Sequence, residues 1–354
     1  MKAEIVIAGC GVIGASVAYH LAARGARDVL VIDRGDAPGA GSTSKATGGF
    51  RCQFDNATEV QLSLRSLAKL RRFEEEISVD SGYRPHGYLF CATRNEELDV
   101  FRDAQRVQHA CGGAARLISA AEVRELNPAI GDDSIVGAAF CPDDGFLRPM
   151  NILNGYIAAA QRLGVRLMFG VEQHSFVHEG SRVQSLRTSA GDVSGDVFVE
   201  ARGAWSGAPV VPMRRNIAAT IETNVLPESM PMTIWASDWY HLRVRDHRVL
   251  LLWPDDPVVD DAQWLETVLR MTRERMPILR DVPVEHTWSG YYEMSPDGHA
   301  LLGRSPRFEN AYMATGCSGH GVMHSPALGE LLAEMVLEGA CSMDVSALDP
   351  GRFG

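Results

Sequence analysis

Three glycines and one aspartate near the start of the chain carry the clearest chemical signal. Gly9-Cys10-Gly11-Val12-Ile13-Gly14 is a GxGxxG run, and Asp33 follows Gly14 by 19 positions. These residue types at this spacing build a dinucleotide site. Gly9 permits the tight turn, Gly11 lets backbone approach a pyrophosphate, and Gly14 lets helix and strand pack closely. The helix that follows, opening at Ile13, offers unpaired N–H groups and a positive dipole end to the phosphates. Asp33, followed by Arg34, would accept hydrogen bonds from an adenosine ribose, and its charge disfavours a 2′-phosphate. NADP is therefore the least suited dinucleotide. Spacing alone leaves FAD and NAD both open, and a ligand-free glycine-rich turn is the bland alternative.

The elements needed to position these residues are legible around them. Residues 4–8 (EIVIA) read as a buried strand, 13–24 as a helix stopped by Gly25, and 29–33 (VLVID) as a second strand. This is a βαβ unit of the expected length. The segment 36–54 (DAPGAGSTSKATGGFRCQF) is rich in small residues. It can be a flexible linker, but Lys45, Phe50 and Arg51 interrupt it, and a loop this long inside an α/β unit is more often functional. Beyond it the periodicity predicts a helix over 56–77, a strand over 87–93, and two helices within 95–126. The second of these starts at Ser119, with Glu122 at capping-box spacing. A connector at 141–148, a helix at 151–163 and a strand at 166–169 follow. Residues 183–200 read as a hairpin around Gly191. Short alternating segments over 217–253 read as antiparallel sheet. A helix at 261–276, a strand at 311–315 and a helix from Ser325 close the chain. Both ends thus look like α/β material and the middle like antiparallel sheet, as if a second domain were inserted into the first.

Composition narrows the class. The 354 residues, 45% apolar and 22% charged, describe a globular chain of about two domains. Lys and Arg number 34 against 45 Asp and Glu, so the net charge is −11, which disfavours nucleic-acid and anionic-membrane partners. No apolar run reaches the roughly 18–20 residues that span a bilayer. The N-terminus enters a strand at once and shows no leader pattern. The seven cysteines include no CxxC pair, so no disulfide framework or metal cluster is signalled, and a reducing cytoplasm fits. Lysine occurs only at positions 2, 45 and 69, so no lysine beyond 69 is available as a base or ligand.

The sequence resembles the D-amino-acid-oxidase-like superfamily of FAD-dependent oxidoreductases, in its sarcosine oxidase, glycine oxidase and proline dehydrogenase β-subunit branch. The matching segments are IVIAGCGVIGASVAYHLA (5–22), GSTSKATGGFRCQF (41–54), GYLFCAT (87–93), DDGFLRP (143–149), GAWS (203–206), WSGYYEMSPDGHALLG (288–303) and ATGCSGHGVMHSPALGELLAE (314–334). The resemblance implies an α/β fold: a Rossmann-like FAD domain (1–80, 141–210 and 290–354) and a discontinuous antiparallel-sheet substrate domain (81–140 and 211–289). It implies FAD, held along Gly9, Gly11, Val12, Ile13, Gly14, Asp33 and Arg34. The loop residues Ser42, Thr43, Ser44, Lys45, Thr47, Gly48 and Gly49 would run along the flavin, with Gln173, Gly203 and Trp205 beside it. Gly319, His320, Gly321, Val322 and Met323 would face its pyrimidine end. Gly290 stands where some relatives carry the cysteine that bonds the flavin, so non-covalent FAD is implied.

The implied activity is oxidation of the C–N bond of a secondary amine or amino or imino acid. The flavin N5 accepts a hydride, the imine then hydrolyses, and oxygen or another carrier takes the electrons. Arg51 falls at the arginine that holds a substrate carboxylate, a task suited to a guanidinium fork. Loop support or pairing with a cofactor phosphate is its alternative. Tyr240, in DWYHLRVR, lies on a strand expected to face the flavin, with its hydroxyl available to substrate; neighbouring His241 reads as an ordinary half-buried sheet residue. His320 and Met323 complete the expected substrate-positioning set. Met323 replaces a lysine common in sarcosine oxidases. Leu251 falls on the strand that carries an oxygen-activating lysine there, which leaves a dehydrogenase as open as an oxidase. A homo-oligomer or partner subunit fits this branch. The competing readings are a non-catalytic flavoprotein subunit or assembly factor, and an NAD-dependent reductase.

Overall fold

A computed structural model describes residues 1–255 and 258–353. The buried strand Ile5–Ala8 is the centre of a six-stranded sheet. Its neighbours run, from one edge, Leu301–Arg304, Ala311–Thr315, Val197–Glu200, Ile5–Ala8, Val29–Ile32 and Arg166–Met168. All adjacent pairs are parallel except the antiparallel edge pair formed by Leu301–Arg304 and Ala311–Thr315. The uninterrupted apolar runs IVIA and VLVI follow from burial on both faces. Ile5, Ile7, Val29 and Val31 pack on the helices Val12–Ala23, Pro149–Arg162 and Gly321–Glu338. Val6, Ala8, Leu30 and Ile32 pack on a three-stranded sheet that contributes Val183, Leu186 and Val193.

The second layer is an eight-stranded sheet. Its order is Val284–Met294, Val211–Thr220, Arg248–Leu252, His241–Arg245, Met232–Trp235, Tyr88–Ala92, Gly137–Cys141 and Arg116–Ser119. One face is covered by the helix Asp261–Arg275 through Trp264, Val268 and Met271. The other face, with Ile217, Leu250, Leu252, Ile234 and Phe90, turns toward the dinucleotide-like domain. The strand Val284–Met294 runs through position 290, the expected boundary between the two domains.

Local chemistry accounts for the element ends. The helix Ala57–Arg71 is capped by Asn56, whose side chain accepts the Glu59 N–H at 2.9 Å, and Asp260 does the same for Gln263 N–H. The expected capping box between Ser119 and Glu122 is formed. Several expectations need correction. The helix read over 56–77 breaks at Arg72 into Ala57–Arg71 and Phe73–Ile77. The hairpin ends at Ser194, and Val197–Glu200 instead joins the parallel sheet. The last helix starts at Gly321 rather than Ser325, and Pro326 lies inside it. Proline has no N–H for the Val322 carbonyl; the Ser325 hydroxyl bonds that carbonyl instead, at 2.9 Å.

Candidate active site

Between the two sheets lies a cleft of about 470 Å³. Its floor is the turn after Ile5–Ala8. Gly9 has φ +102°, and a Cβ there would sit 2.4 Å from the Ala201 carbonyl oxygen. A Cβ at Gly14 would lie 2.0 Å from the Gly9 carbonyl oxygen, so helix and strand approach as only glycine allows. Gly11 lines the cleft, and a Cβ there would meet only Thr43 Oγ1, at 3.6 Å; the space beside its backbone is cleft, not protein. Gly11 has no side chain to cap the helix, and of the first helical N–H groups Val12's donates to Thr43 Oγ1 at 3.2 Å. Asp33 Oδ2 accepts the Cys10 N–H at 2.6 Å and Oδ1 accepts the Gly35 N–H at 2.7 Å. These bonds fix the carboxylate at the cleft wall while leaving each oxygen a second lone pair. The floor thus suits an extended dinucleotide: a glycine turn whose backbone lines the cleft, and an anchored carboxylate at the end of the next strand.

The loop expected along the flavin forms one wall, stitched to the eight-stranded sheet. Ser42 Oγ donates to the Tyr291 carbonyl at 2.7 Å, and Trp288 Nε1 donates to the Lys45 carbonyl at 3.0 Å. Arg243 Nη1 donates to the Thr47 and Gly48 carbonyls at 2.6 and 3.0 Å, and its guanidinium stacks 3.7 Å from the Phe146 ring centre. Burial lowers its pKa to about 9. At the mouth the Arg34 guanidinium lies 4.0 Å over the Trp205 ring. Opposite, half-buried Glu293 accepts the Cys317 N–H at 3.2 Å and the Thr315 hydroxyl at 2.9 Å, which holds the turn leading to Gly319; desolvation raises its pKa.

Of the residues singled out in the sequence, Gly9, Gly11, Val12, Ile13, Asp33, Arg34, Ser42, Thr43, Lys45, Thr47, Gln173, Gly203, Trp205, Gly290, Gly319, Gly321 and Val322 share this one cleft. Gly14, Gly48 and Gly49 lie behind its wall. Gly48 is held by Leu147, and a Cβ at Gly49 would overlap the Tyr88 hydroxyl at 1.9 Å. Ser44 is exposed, with its hydroxyl 3.4 Å from the Gly41 carbonyl. Met323 is buried among the helices of the first domain.

Two placements correct the sequence reading by a single residue of strand parity. Tyr240 is fully buried on the far face of the sheet, where its hydroxyl meets Thr272 Oγ1 at 2.7 Å. Its neighbour His241 faces the cleft side. Leu251 likewise points into the far core, while Leu252 lines the cleft. Alternation along a strand sends adjacent residues to opposite faces, so a one-position error reverses a role.

Arg51 sits beside the cleft in an aromatic setting. Its guanidinium is 3.7 Å from the Phe54 ring centre and 5.8 Å from that of Phe90. Nη1 donates to the Gln53 carbonyl, and Nη2 donates to His320 Nε2 at 3.1 Å. Burial and the Arg51 charge hold His320 well below the usual histidine range, so it is neutral at pH 7. Its Nδ1 is buried without a partner. Asp144 anchors the Arg51 segment: Oδ1 accepts the Cys52 N–H at 2.6 Å and Oδ2 accepts Gln53 Nε2 at 2.9 Å. Burial pushes the Asp144 carboxyl up to about 7. Behind it, Glu59 lies 3.0 Å from His299 Nδ1 and 3.3 Å from His324 Nδ1. Sequence reasoning assigned no role to Asp144, Arg243 or Glu293. Asp144 stands inside the matching DDGFLRP segment, and Arg243 two positions after His241 on the same strand face, which are the signals that point to them.

Comparison with known proteins agrees with this geometry. The profile of the family described as FAD dependent oxidoreductase (DAO) matches residues 4–335. The chain is 26% identical over 413 residues to FAD-dependent oxidoreductase domain-containing protein 1 of Xenopus laevis, covering 99% of this chain and 83% of that protein. It is 26% identical over 388 residues to mitochondrial dimethylglycine dehydrogenase of Rattus norvegicus, covering all of this chain but only 45% of that longer protein. Among solved structures, L-proline dehydrogenase from P. horikoshii superposes with a TM-score of 0.91 at 27% identity, covering 99% of this chain and 98% of that one.

Proposed function

The chain belongs to the FAD dependent oxidoreductase (DAO) family and is an FAD-dependent amine or amino-acid oxidoreductase, and we propose that its substrate is a secondary amine or an amino or imino acid of sarcosine, glycine or proline type. The observation that carries this reading is Arg51, a guanidinium seated on Phe54 beside the cleft with donors left over. Guanidinium has five N–H donors, and the Gln53 carbonyl and His320 Nε2 use only part of that fork. The remainder suits a carboxylate. Neutral His320 adds an acceptor beside it without competing charge. The likeness to L-proline dehydrogenase supports an imino or amino acid as substrate.

FAD, when bound, supplies the two-electron acceptor that this chemistry needs. The chain's own part is to bind, orient and exclude water. Gly9, Gly11 and the helix start would hold the pyrophosphate, and Asp33 the ribose. Thr47 and Gly48, pinned by Arg243, would run beside the ring. Gly290 offers no thiol for a covalent link, so FAD is held non-covalently. Arg51 fixes the substrate carboxylate, and Phe54, Phe90 and Leu252 give the reacting carbon an apolar wall. The test is an anaerobic absorption spectrum of the purified protein with sarcosine, glycine, L- and D-proline and a set of D- and L-amino acids. Bleaching of the oxidised band by one of them supports the reading, and readmitted air separates oxidase from dehydrogenase. A flavin that no amine bleaches overturns it in favour of a non-catalytic flavoprotein.

A further inference from the structure

Arg214 and Arg215 stand side by side on the strand Val211–Thr220 and point opposite ways. Arg214 forks onto Asp261, at the start of the helix behind the sheet, at 2.7 and 2.9 Å. Arg215 lines the cleft. Alternation along a strand produces this split. The cleft's other cations are placed differently. Arg202 closes on Glu200 through Nε and Nη2, Arg34 lies over Trp205 at the mouth, and Lys45 is exposed.

Arg215 is held in place with its donors unmet. Its side chain is 21% exposed, and its counter-ion, buried Asp255, stays 4.0 Å from Nη1, too far for a hydrogen bond. Asp255 Oδ2 accepts the Val259 N–H at 3.1 Å. Among the described residues no acceptor is hydrogen-bonded to the Arg215 guanidinium, which carries five N–H donors. The glycine turn suited to a pyrophosphate belongs to the six-stranded sheet, across the cleft from Arg215. Tyr292 connects Arg215 to the Arg51 side. Its ring centre is 6.0 Å from the Arg215 guanidinium carbon. The same ring packs on Gly319, where a Cβ would lie 2.6 Å from it, and the next residue, His320, takes a hydrogen bond from Arg51. Burial raises the Tyr292 phenol pKa, and the charges of Arg215 and then Arg51 lower it. Two guanidinium groups thus act on one tyrosine of the cleft wall.

We propose that Arg215 binds a second carboxylate of the substrate, which makes that substrate a dicarboxylic amino acid or secondary amine. This rests on the amine reading above. One carboxylate sits on Arg51 and the other on Arg215, with the nitrogen and its adjacent C–H between them. A guanidinium fork matches a carboxylate with two parallel charge-assisted bonds. Asp255 behind Arg215 offsets its charge when no substrate is bound. An amine with a single carboxylate leaves the Arg215 donors to water.

Matched pairs of compounds test the assignment. Sarcosine and iminodiacetate differ by one carboxylate, as do proline and pyrrolidine-2,5-dicarboxylate. In anaerobic bleaching of the FAD-loaded wild type, the diacid of a pair should half-saturate at a concentration roughly tenfold or more below its monoacid. Arg215→Met keeps the apolar stem and removes the donors, so the ratio within each pair should fall to about one. Arg215→Lys should restore part of it, because a point charge lacks the fork. Glutarate, which has no amine to oxidise, gives a readout without turnover: it should raise the Tm of the wild type more than butyrate does, and that difference should vanish in Arg215→Met. The wild-type comparisons need no variant, so they decide even if Arg215→Met fails to fold. Equal values within the pairs in the wild type, or a diacid preference that survives in Arg215→Met, overturn the proposal while the amine reading stands. A wild-type flavin that no amine bleaches overturns both.

Discussion

Arg51 and Asp144 concentrate the residue-scale chemistry, and each supports a measurable consequence. A guanidinium that grips a carboxylate is worth about 3 kcal/mol, so Arg51→Ala should raise KM for a carboxylate substrate roughly 100-fold. Arg51→Lys should recover only part, because a point charge lacks the fork. Steady-state kinetics with the reducing substrate decides, and an unchanged KM assigns Arg51 to loop support. Asp144 carries a pH signature. Its folded pKa, raised by burial from 3.8 to about 7, exceeds the unfolded value. The folded state therefore binds the extra proton, and the stability gained that way is full below pH 3.8 and lost as pH rises to about 7. In Asp144→Asn that part of the pH dependence should vanish. Turning the Gln53 amide to accept from the new side chain would cost its bond to the Tyr88 carbonyl, so the variant should be less stable at every pH while its pH dependence flattens. Melting curves of both proteins between pH 4 and 8 measure the difference; parallel curves would remove Asp144 as its source.

At the scale of elements, the loop 42–48 is tied to the eight-stranded sheet through its carbonyls, chiefly by Arg243, with Arg245 and Trp288. Arg243→Met keeps much of the stacking volume on Phe146 and removes the donors. It should weaken FAD retention at least tenfold, read as the flavin fraction left after dialysis. Unaltered retention would show that Ser42 and Trp288 suffice. Close approach at Gly49 gives a sharper test. A Cβ there would lie 1.9 Å from the Tyr88 hydroxyl oxygen but 3.3 Å from the ring carbon bearing it. Gly49→Ala should cost about 1–3 kcal/mol, and adding Tyr88→Phe should return most of it. Chemical denaturation of the single and double variants supplies the comparison, and additive losses would refute the contact as the cause.

For the whole molecule, the cleft is built from chain segments far apart in sequence, the turn at Gly9, the wall at 201–205, the strand at 289–293 and the turn at 317–322. A ligand that touches all of them binds only the folded chain. FAD at about 100 times its Kd should therefore add about 2.7 kcal/mol and raise Tm by several degrees. A Tm indifferent to added FAD would contradict a cleft formed only on folding. Among the described residues all seven cysteines are free, and no helix is long and apolar enough to cross a membrane.

Local patterns in the sequence determined whatever depends on neighbours along the chain. The βαβ unit around Gly9, Gly11, Gly14 and Asp33, the capping box at Ser119, and the family to which the segments belong are all of this kind, because strand–turn–helix geometry is set within some thirty residues. Even the discontinuous layout was legible, since its two ends share one pattern. Tertiary structure decided which face of each strand meets the cleft. DWYHLRVR permits either parity, and only the far core around Trp264 and Thr272, taking Tyr240, leaves His241 on the opposite face with Arg243 and Arg245. Likewise Asp144, Arg243 and Glu293 gain their roles from partners some 20 to 200 residues away. Such roles are written in burial and pairing between distant segments, which periodicity along one segment does not record.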